Sequence, residues 1–494
     1  MCSTLKFVKQ SQASKQKDKK RKMNTLLERE KKKARAFIIK SPDIGNTLII
    51  GDMGLGKSNM LVVMAEALYS LRYRQQKVKI FDLFDDGRGE NMFWIFPNDH
   101  DIYKHSLSRR YWYIPKEYPV RLLFPVTRKL PKKLPIQSKV FAIPIDSLTI
   151  NDIYALVGEQ ISQSQRTLWN RVQEKITRNT TPVDLKKLLE KMQKGEIKLK
   201  DESSGIKFNA KTYATIVNGI LGELFKENML CAGVSKLALN LKEEINDKDV
   251  ISVLVLKYCP PELRGFLVNY FIRHIYDALN IGSIKKPKAT YFLLREVSKL
   301  LKSDVRSESD FAIRDNIEYI IRQGRGPRTY FIMDTQYLSN LSDVKSMPSR
   351  IIAFRTHEGK DILEALGYTR ISNLYTRENI ATLPLLPQRW CYVFEKGKKV
   401  FLTKVNVPRH KTWNHLRDEF EILYMKHYGE KYYDITEDIK KLEEENNKSR
   451  EYWEEKEREI RKKYKEKPKV KTIIKTVPFT QSPTVGFEEI VKNL

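Results

Sequence analysis

Cysteine is scarce in this chain, with 4 residues in 494. Cys2, Cys231, Cys259 and Cys391 lie far apart, and the sequence holds no C-x-x-C pair and no Cys/His cluster. The pattern therefore argues against a zinc site and against the disulfide framework of small secreted domains. We expect the chain to work in a reducing compartment.

Long apolar runs are also missing. No stretch approaches the roughly 20 apolar residues that a membrane-spanning helix needs, and the N-terminus has no apolar core like that of a signal peptide. We therefore expect no intrinsic membrane span. The expected location is the cytoplasm, which is the host's cytoplasm for a viral protein.

Acidic residues are few relative to basic ones. Lys and Arg number 91 against 61 Asp and Glu, which gives a net charge of +30. Residues 1–36 hold 13 Lys/Arg and 3 Asp/Glu, and an excess of +20 lies within residues 37–415. This imbalance favours a polyanionic partner, either nucleic acid or an anionic membrane surface.

Glycine is uncommon, yet three glycines fall in "LIIGDMGLGKSNM", residues 48–60. The stretch fits the P-loop pattern G-x-x-x-x-G-K-[ST], between an apolar strand at 47–50 and a helical pattern at 59–69. Loop N–H groups and the helix N-terminus would cradle a phosphate, Lys57 would reach the β- and γ-phosphates, and Ser58 would ligate Mg²⁺. The predicted nucleotide-binding residues are Gly51, Asp52, Met53, Gly54, Leu55, Gly56, Lys57, Ser58 and Asn59.

The chain alternates apolar strands with helical patterns on both sides of a mostly helical stretch at about 150–245. This order predicts an α/β fold with a mostly parallel sheet covered by helices on both faces. We expect a basic disordered arm over 1–36 and a core over 37–415 that contains the helical insertion. A charged C-terminal helix over 416–467 and a flexible tail over 468–494 would follow.

Three further segments supply residues that a nucleotide hydrolase needs. "YFLLRE" ends in Glu296, the candidate general base, and "FIMDTQ" ends in Gln336, the candidate γ-phosphate sensor. "RQGRGPR" precedes the second of these strands, and its Arg322 and Arg325 are candidate arginine fingers, with Arg328 beside them. We expect the two strand ends to lie beside the P-loop.

The order of these segments resembles the HerA–FtsK superfamily of P-loop ATPases over roughly residues 40–405. "RQGRGPRTYFIMDTQYLSNL" and "SRIIAFRTHEGKDILEALG" look very like the family's segments, and "KVKIFDLFDD" resembles its second strand, with Asp82 near the nucleotide. The resemblance implies a RecA-like (ASCE) core that uses ATP and Mg²⁺ and assembles as a ring, usually a hexamer. One departure is Arg295, which stands where the family usually has Asp; Asp82 and Asp334 are the candidate replacements.

Three functions remain open from the sequence. The first is a ring-shaped ATPase that translocates double-stranded DNA, in viral genome packaging or plasmid transfer, with virion or conjugation-complex proteins as further partners. The second is an ATPase that powers a conjugation or secretion apparatus. The third is a nucleotide-binding DNA-organising protein that does not hydrolyse, for which Arg295 beside Glu296 is the only support.

Overall fold

A computed structural model describes residues 21–98, 115–157, 163–194, 220–282, 284, 286–304, 308–367, 374–412 and 419–446. Its centre is a ten-stranded sheet with the strand order β13-β12-β11-β1-β10-β9-β2-β8-β3-β5. These strands are β1 Thr47–Ile50, β2 Lys79–Phe84, β3 Val120–Pro125, β5 Ser138–Phe141, β8 Ile251–Leu254, β9 Thr290–Leu294, β10 Thr329–Thr335, β11 Arg350–Ala353, β12 Trp390–Glu395 and β13 Phe401–Lys404.

Every pairing from β11 through β5 is parallel, and only the β11-β12-β13 edge is antiparallel. Both faces of the sheet are buried, as the apolar strands predict. In β1, Leu48 and Ile50 pack into one apolar cluster while Ile49 packs into the cluster on the opposite face. The predicted α/β class with a mostly parallel sheet covered by helices is confirmed.

The helices cover the two faces unequally. They are α1 21–32, α2 Lys57–Ser70, α3 Ile150–Val157, α4 Gln163–Gln173, α5 Pro182–Gln193, α6 Leu241–Asn246, α7 Pro261–Ile281, α8 Glu308–Gln323, α9 Gly359–Ala365, α10 Leu374–Thr382, α11 Glu419–Tyr428 and α12 436–446. The P-loop helix α2 lies on one face with α11, and α3 to α8 pack on the other. The region 150–246 thus places its helices on the face opposite the P-loop helix.

Within the described ranges, four short strands lie outside the central sheet. They pair as β4 Lys133–Pro135 with β14 Tyr432–Asp434, and as β6 Ile143–Pro144 with β7 Leu230–Cys231. The β4–β14 pair attaches the C-terminal segment to the core. Tyr424 of α11 reinforces this contact, because its hydroxyl accepts a hydrogen bond from the backbone N–H of Ile136.

Two parts of the chain differ from expectation. Within the predicted disordered arm, residues 21–32 form helix α1, whose Leu27 and Glu30 side chains are buried. The predicted single helix over 416–467 is instead α11, β14 and α12 as far as residue 446, because its aromatic side chains pack on the core. Residues 1–20, 447–467 and the predicted tail 468–494 lie outside the described residues.

Candidate active site

The loop between β1 and α2 has the backbone that its glycines permit. Gly51, Gly54 and Gly56 all have positive φ, at 142°, 71° and 105°. A Cβ at Gly51 would also lie 2.6 Å from the Cβ of Phe354, so no other residue fits there. Gly56 is the N-cap of α2 and supplies no side-chain cap, which leaves the helix N-terminus open to an anion.

Lys57 lies inside this loop and is buried. Its Nζ donates a hydrogen bond to the backbone carbonyl of Asp52 across the loop, at 3.0 Å. Burial lowers the pKa of Lys57, and the nearby carboxylates of Asp334, Glu296 and Asp52 oppose that shift. The lysine is therefore held at the centre of the loop with acidic groups around it.

Asp334 connects the P-loop to the neighbouring strands. It is buried near the end of β10, the strand between β1 and β9. Its Oδ2 accepts a hydrogen bond from the Ser58 hydroxyl at 3.2 Å, and its Oδ1 accepts one from the backbone N–H of Glu296 at 2.6 Å. Burial raises the pKa of this carboxyl to about 6.

Glu296 and Gln336 meet at the carboxyl ends of β9 and β10. The Gln336 Nε2 lies 3.3 and 3.5 Å from the two carboxylate oxygens of Glu296. Glu296 itself has a φ of 50°, an uncommon backbone for a residue with a side chain, and both side chains are partly exposed. The structure therefore brings together Lys57, Ser58, Glu296 and Gln336, as expected from strand ends that share one edge of a parallel sheet.

Asp82 is the buried partner of Arg295. Strand β2 continues to Phe84, so Asp82 sits inside the strand and is fully buried. Its Oδ2 accepts hydrogen bonds from Arg295 Nη2 at 2.7 Å and from Trp94 Nε1 at 2.8 Å. Asp82 therefore serves as the partner of Arg295, and Asp334 is the carboxylate that contacts Ser58.

Three residues without a recognisable sequence motif also contact the P-loop. The Arg355 guanidinium lies 3.5 Å from the Asp52 carboxylate, and its carbonyl accepts the Asp52 backbone N–H. Gln388 Nε2 donates to the Gly54 carbonyl, and the Arg389 N–H donates to the Leu55 carbonyl. Arg355 could have been found from its place just beyond β11, whereas the other two follow a helix and carry no local signal.

The candidate arginines lie near the amino ends of the central strands, whereas the P-loop of the same chain lies at the carboxyl ends. Arg322 lies in the last turn of α8, Arg325 and Arg328 follow that helix, and all three are exposed just before β10 begins. The three line a cleft of about 760 Å³ together with Asn46 and Tyr330. Since β10 has seven residues, and a strand rises about 3.3 Å per residue, these arginines lie some 20 Å from the Gln336 end.

The described residues contain no group of three or more His, Cys, Asp or Glu placed to hold a metal ion. The Ser58 hydroxyl and one nearby carboxylate suit Mg²⁺, which is bound mainly by phosphate oxygens and water. Among the same residues, no helix has both the length and the apolar character to cross a bilayer.

No protein-family model matches the chain, and no curated protein sequence matches it. Among solved structures, it is similar to VirB4 of Thermoanaerobacter pseudethanolicus at 12% identity, with a TM-score of 0.39 over 73% of this chain and 89% of that one. It is also similar to the bacterial conjugative coupling protein TrwB (11%, TM-score 0.42, 78% and 93%). A third is the genome packaging NTPase B204 from Sulfolobus turreted icosahedral virus 2 (12%, TM-score 0.28, 74% and 100%).

At these identities and TM-scores, what the site does has to be derived from its own residues.

Proposed function

We propose that this protein is an ATP-hydrolysing motor that assembles as a ring and translocates double-stranded DNA. The observation that carries the proposal is the convergence of Lys57, Ser58, Glu296 and Gln336 at one edge of the parallel sheet. A phosphate cradle alone would support binding, but a carboxylate and an amide aimed at the same space support hydrolysis.

Each side chain has a role that its position permits. The loop N–H groups and Lys57 would bind the phosphates of ATP. Glu296 would take a proton from the attacking water as the bond between the γ-phosphorus and ADP breaks, and Gln336 would orient that water or contact the γ-phosphate. Ser58 would hold Mg²⁺, which when bound neutralises phosphate charge.

The ion pair of Arg295 supports hydrolysis over mere binding. Its guanidinium is 5% exposed and is paired with the buried Asp82 carboxylate. An arginine paired in this way is compatible with Glu296 as the general base, so hydrolysis is the activity that we expect.

The arginines support a ring. Arg322 and Arg325 are exposed and lie some 20 Å from the P-loop edge of their own chain, by the rise of a strand. An arginine that offsets charge in the transition state would therefore act on the nucleotide of a neighbouring subunit. That arrangement couples hydrolysis at one site to the next subunit.

The basic charge supports DNA as the partner. A net charge of +30 belongs to the core as well as to the N-terminal region, and a basic surface can follow a phosphate backbone without reading its sequence. Genome packaging and plasmid transfer both fit such a motor, while a secretion ATPase would need no DNA.

The decisive experiment is ATP hydrolysis with and without long double-stranded DNA, at two salt concentrations. A translocase is expected to be stimulated by DNA, and the stimulation should fade at high salt because phosphate contacts release counterions. Hydrolysis indifferent to DNA would favour a conjugation or secretion ATPase. ATP binding without any hydrolysis would contradict the enzyme assignment and leave the DNA-organising protein.

A further inference from the structure

The aspartate that the family resemblance implies directly before Glu296 is absent from this sequence. Arg295 occupies the position before Glu296, and a guanidinium cannot ligate a cation. Its Nη2 lies 2.7 Å from Asp82 Oδ2, and both side chains are almost fully buried. Neither Arg295 nor Asp82 is therefore placed to help hold a metal ion beside Ser58.

Asp334 lies on β10, which pairs with β1, and it is close to the strand end that the P-loop follows. It is in register with Ile49 of β1, and neighbours in register point to the same face of a sheet. Ile49 packs in the apolar cluster that contains α2. The Asp334 side chain therefore points toward the first turn of α2, which carries Lys57 and Ser58.

The contacts of Asp334 leave its carboxylate next to the predicted metal ligand. The Ser58 hydroxyl donates to Oδ2 at 3.2 Å. Oδ1 is held at 2.6 Å by the N–H of Glu296. The carboxylate is 1% exposed, a burial that such a group rarely has without a structural or ligand-binding role.

We propose that Asp334, on β10, supplies the protein carboxylate for the Mg²⁺ that accompanies the nucleotide, together with the Ser58 hydroxyl. This inference rests on the proposed function. Mg²⁺ is bound by one or two protein carboxylates plus waters and substrate phosphates, and Asp334 is the buried carboxylate in contact with Ser58. The proposed carboxylate therefore lies near the end of β10, the strand next to the one that Glu296 follows.

The test measures metal-dependent nucleotide binding rather than turnover. A fluorescent, non-hydrolysable ATP analogue is titrated in EDTA and across Mg²⁺ concentrations with wild type, Asp334→Asn and Asp343→Asn. Asp343 is an exposed aspartate between β10 and β11 and serves as the control. Asp334→Asn is expected to bind the analogue in EDTA as wild type does, but to need at least tenfold more Mg²⁺ for tightening. Asp343→Asn should behave as wild type.

A wild-type Mg²⁺ dependence in Asp334→Asn would overturn the assignment. Binding of Mn²⁺ in the presence of the analogue, followed by electron paramagnetic resonance, gives a second readout and should weaken in parallel. If wild-type protein fails to bind the analogue under any condition, the proposed function fails instead, and the two failures are thereby distinguished.

Asp334→Glu tests the same point if the asparagine variant does not fold. It keeps the charge but moves the carboxylate by one methylene. Mg²⁺ demands closer and more regular ligand geometry than Ca²⁺, so the ratio of Mg²⁺ to Ca²⁺ affinity should fall severalfold. An unchanged ratio would contradict a contact between residue 334 and the metal.

Discussion

Arg295 and Asp82 form a buried ion pair between β9 and β2, with 2.7 Å between Nη2 and Oδ2. The Arg295 N–H also donates to the Phe84 carbonyl at 2.8 Å. Burial raises the pKa of Asp82 to about 6, while the arginine charge opposes that shift. The pair therefore anchors the backbone directly before Glu296.

Removing one member of this pair should be worse than removing both. Arg295→Gln leaves the Asp82 carboxylate buried without its cation, so it should lower the thermal midpoint and reduce kcat at least tenfold with little change in KM. The double variant Arg295→Gln/Asp82→Asn replaces the ions by two amides and should recover part of both losses. Thermal midpoints and steady-state kinetics of wild type, Arg295→Gln, Asp82→Asn and the double variant form a double-mutant cycle. Additive losses would show that the pair does not act as a unit.

Glu296→Gln should separate binding from hydrolysis. The amide cannot accept the proton of the attacking water, so turnover should fall by a factor of about 100 to 10,000. ATP binding should persist, and bound ATP should remain intact in a filter-binding assay. Lys57→Ala is the contrasting variant, because it should lose binding itself. Normal hydrolysis by Glu296→Gln would show that another group acts as the base.

Arginine variants should disable their neighbours if the protein works as a ring. Wild type mixed with rising fractions of Arg322→Ala or Arg325→Ala should lose activity more steeply than the fraction of variant. Each altered subunit would remove a charge from an adjacent wild-type site, and in a ring whose sites act in sequence one slow site delays the others. Lys360→Ala, an exposed cation on α9, is the control for loss of charge. A linear decline in the mixtures would contradict coupling between neighbouring sites.

Lys79 should make the free energy of unfolding depend on pH in the alkaline range. Its Nζ is buried at the start of β2 and donates to the carbonyls of Asp247 and Val250 and to the Ser252 hydroxyl, at 2.8 to 2.9 Å. Burial lowers its pKa to about 8, against the opposing charges of Glu244 and Asp247.

Between pH 8 and 10.5 the unfolded chain therefore holds a proton at Lys79 that the folded chain has lost. The lysine's contribution to stability should rise over this window by up to about 1.4 kcal/mol per pH unit. Thermal midpoints of wild type, Lys79→Met and the exposed Lys77→Met, taken from pH 7.5 upward, measure the difference. Parallel curves for wild type and Lys79→Met would refute the shift.

Local pattern predicted the parts of the site that depend on neighbours in the chain. The glycine spacing predicted the loop from Gly51 to Ser58, and the apolar strands predicted that Glu296 and Gln336 would follow strand ends. Because parallel strands share one carboxyl edge, their convergence followed from the fold class.

Contacts between side chains from distant segments could not be predicted from the sequence. The sequence left Asp82 and Asp334 as equal candidates, and only the contacts of Arg295 and Ser58 separate them. Gln388 and Arg389 reach the P-loop from more than 330 positions away in the chain. Helix α1 was missed because its charge density suggested a solvated arm, whereas its Leu27 packs in the core.

Strand β10 joins the two ends of the proposed motor in a single piece of backbone. Gln336 follows its last residue at the nucleotide edge, and Arg328 precedes its first residue at the arginine edge. A central strand paired on both sides is too stiff to absorb a displacement along its length. If the chain assembles as proposed, a shift at the Gln336 end would be carried along β10 to the arginine end, so this strand would link the nucleotide of one subunit to the next subunit.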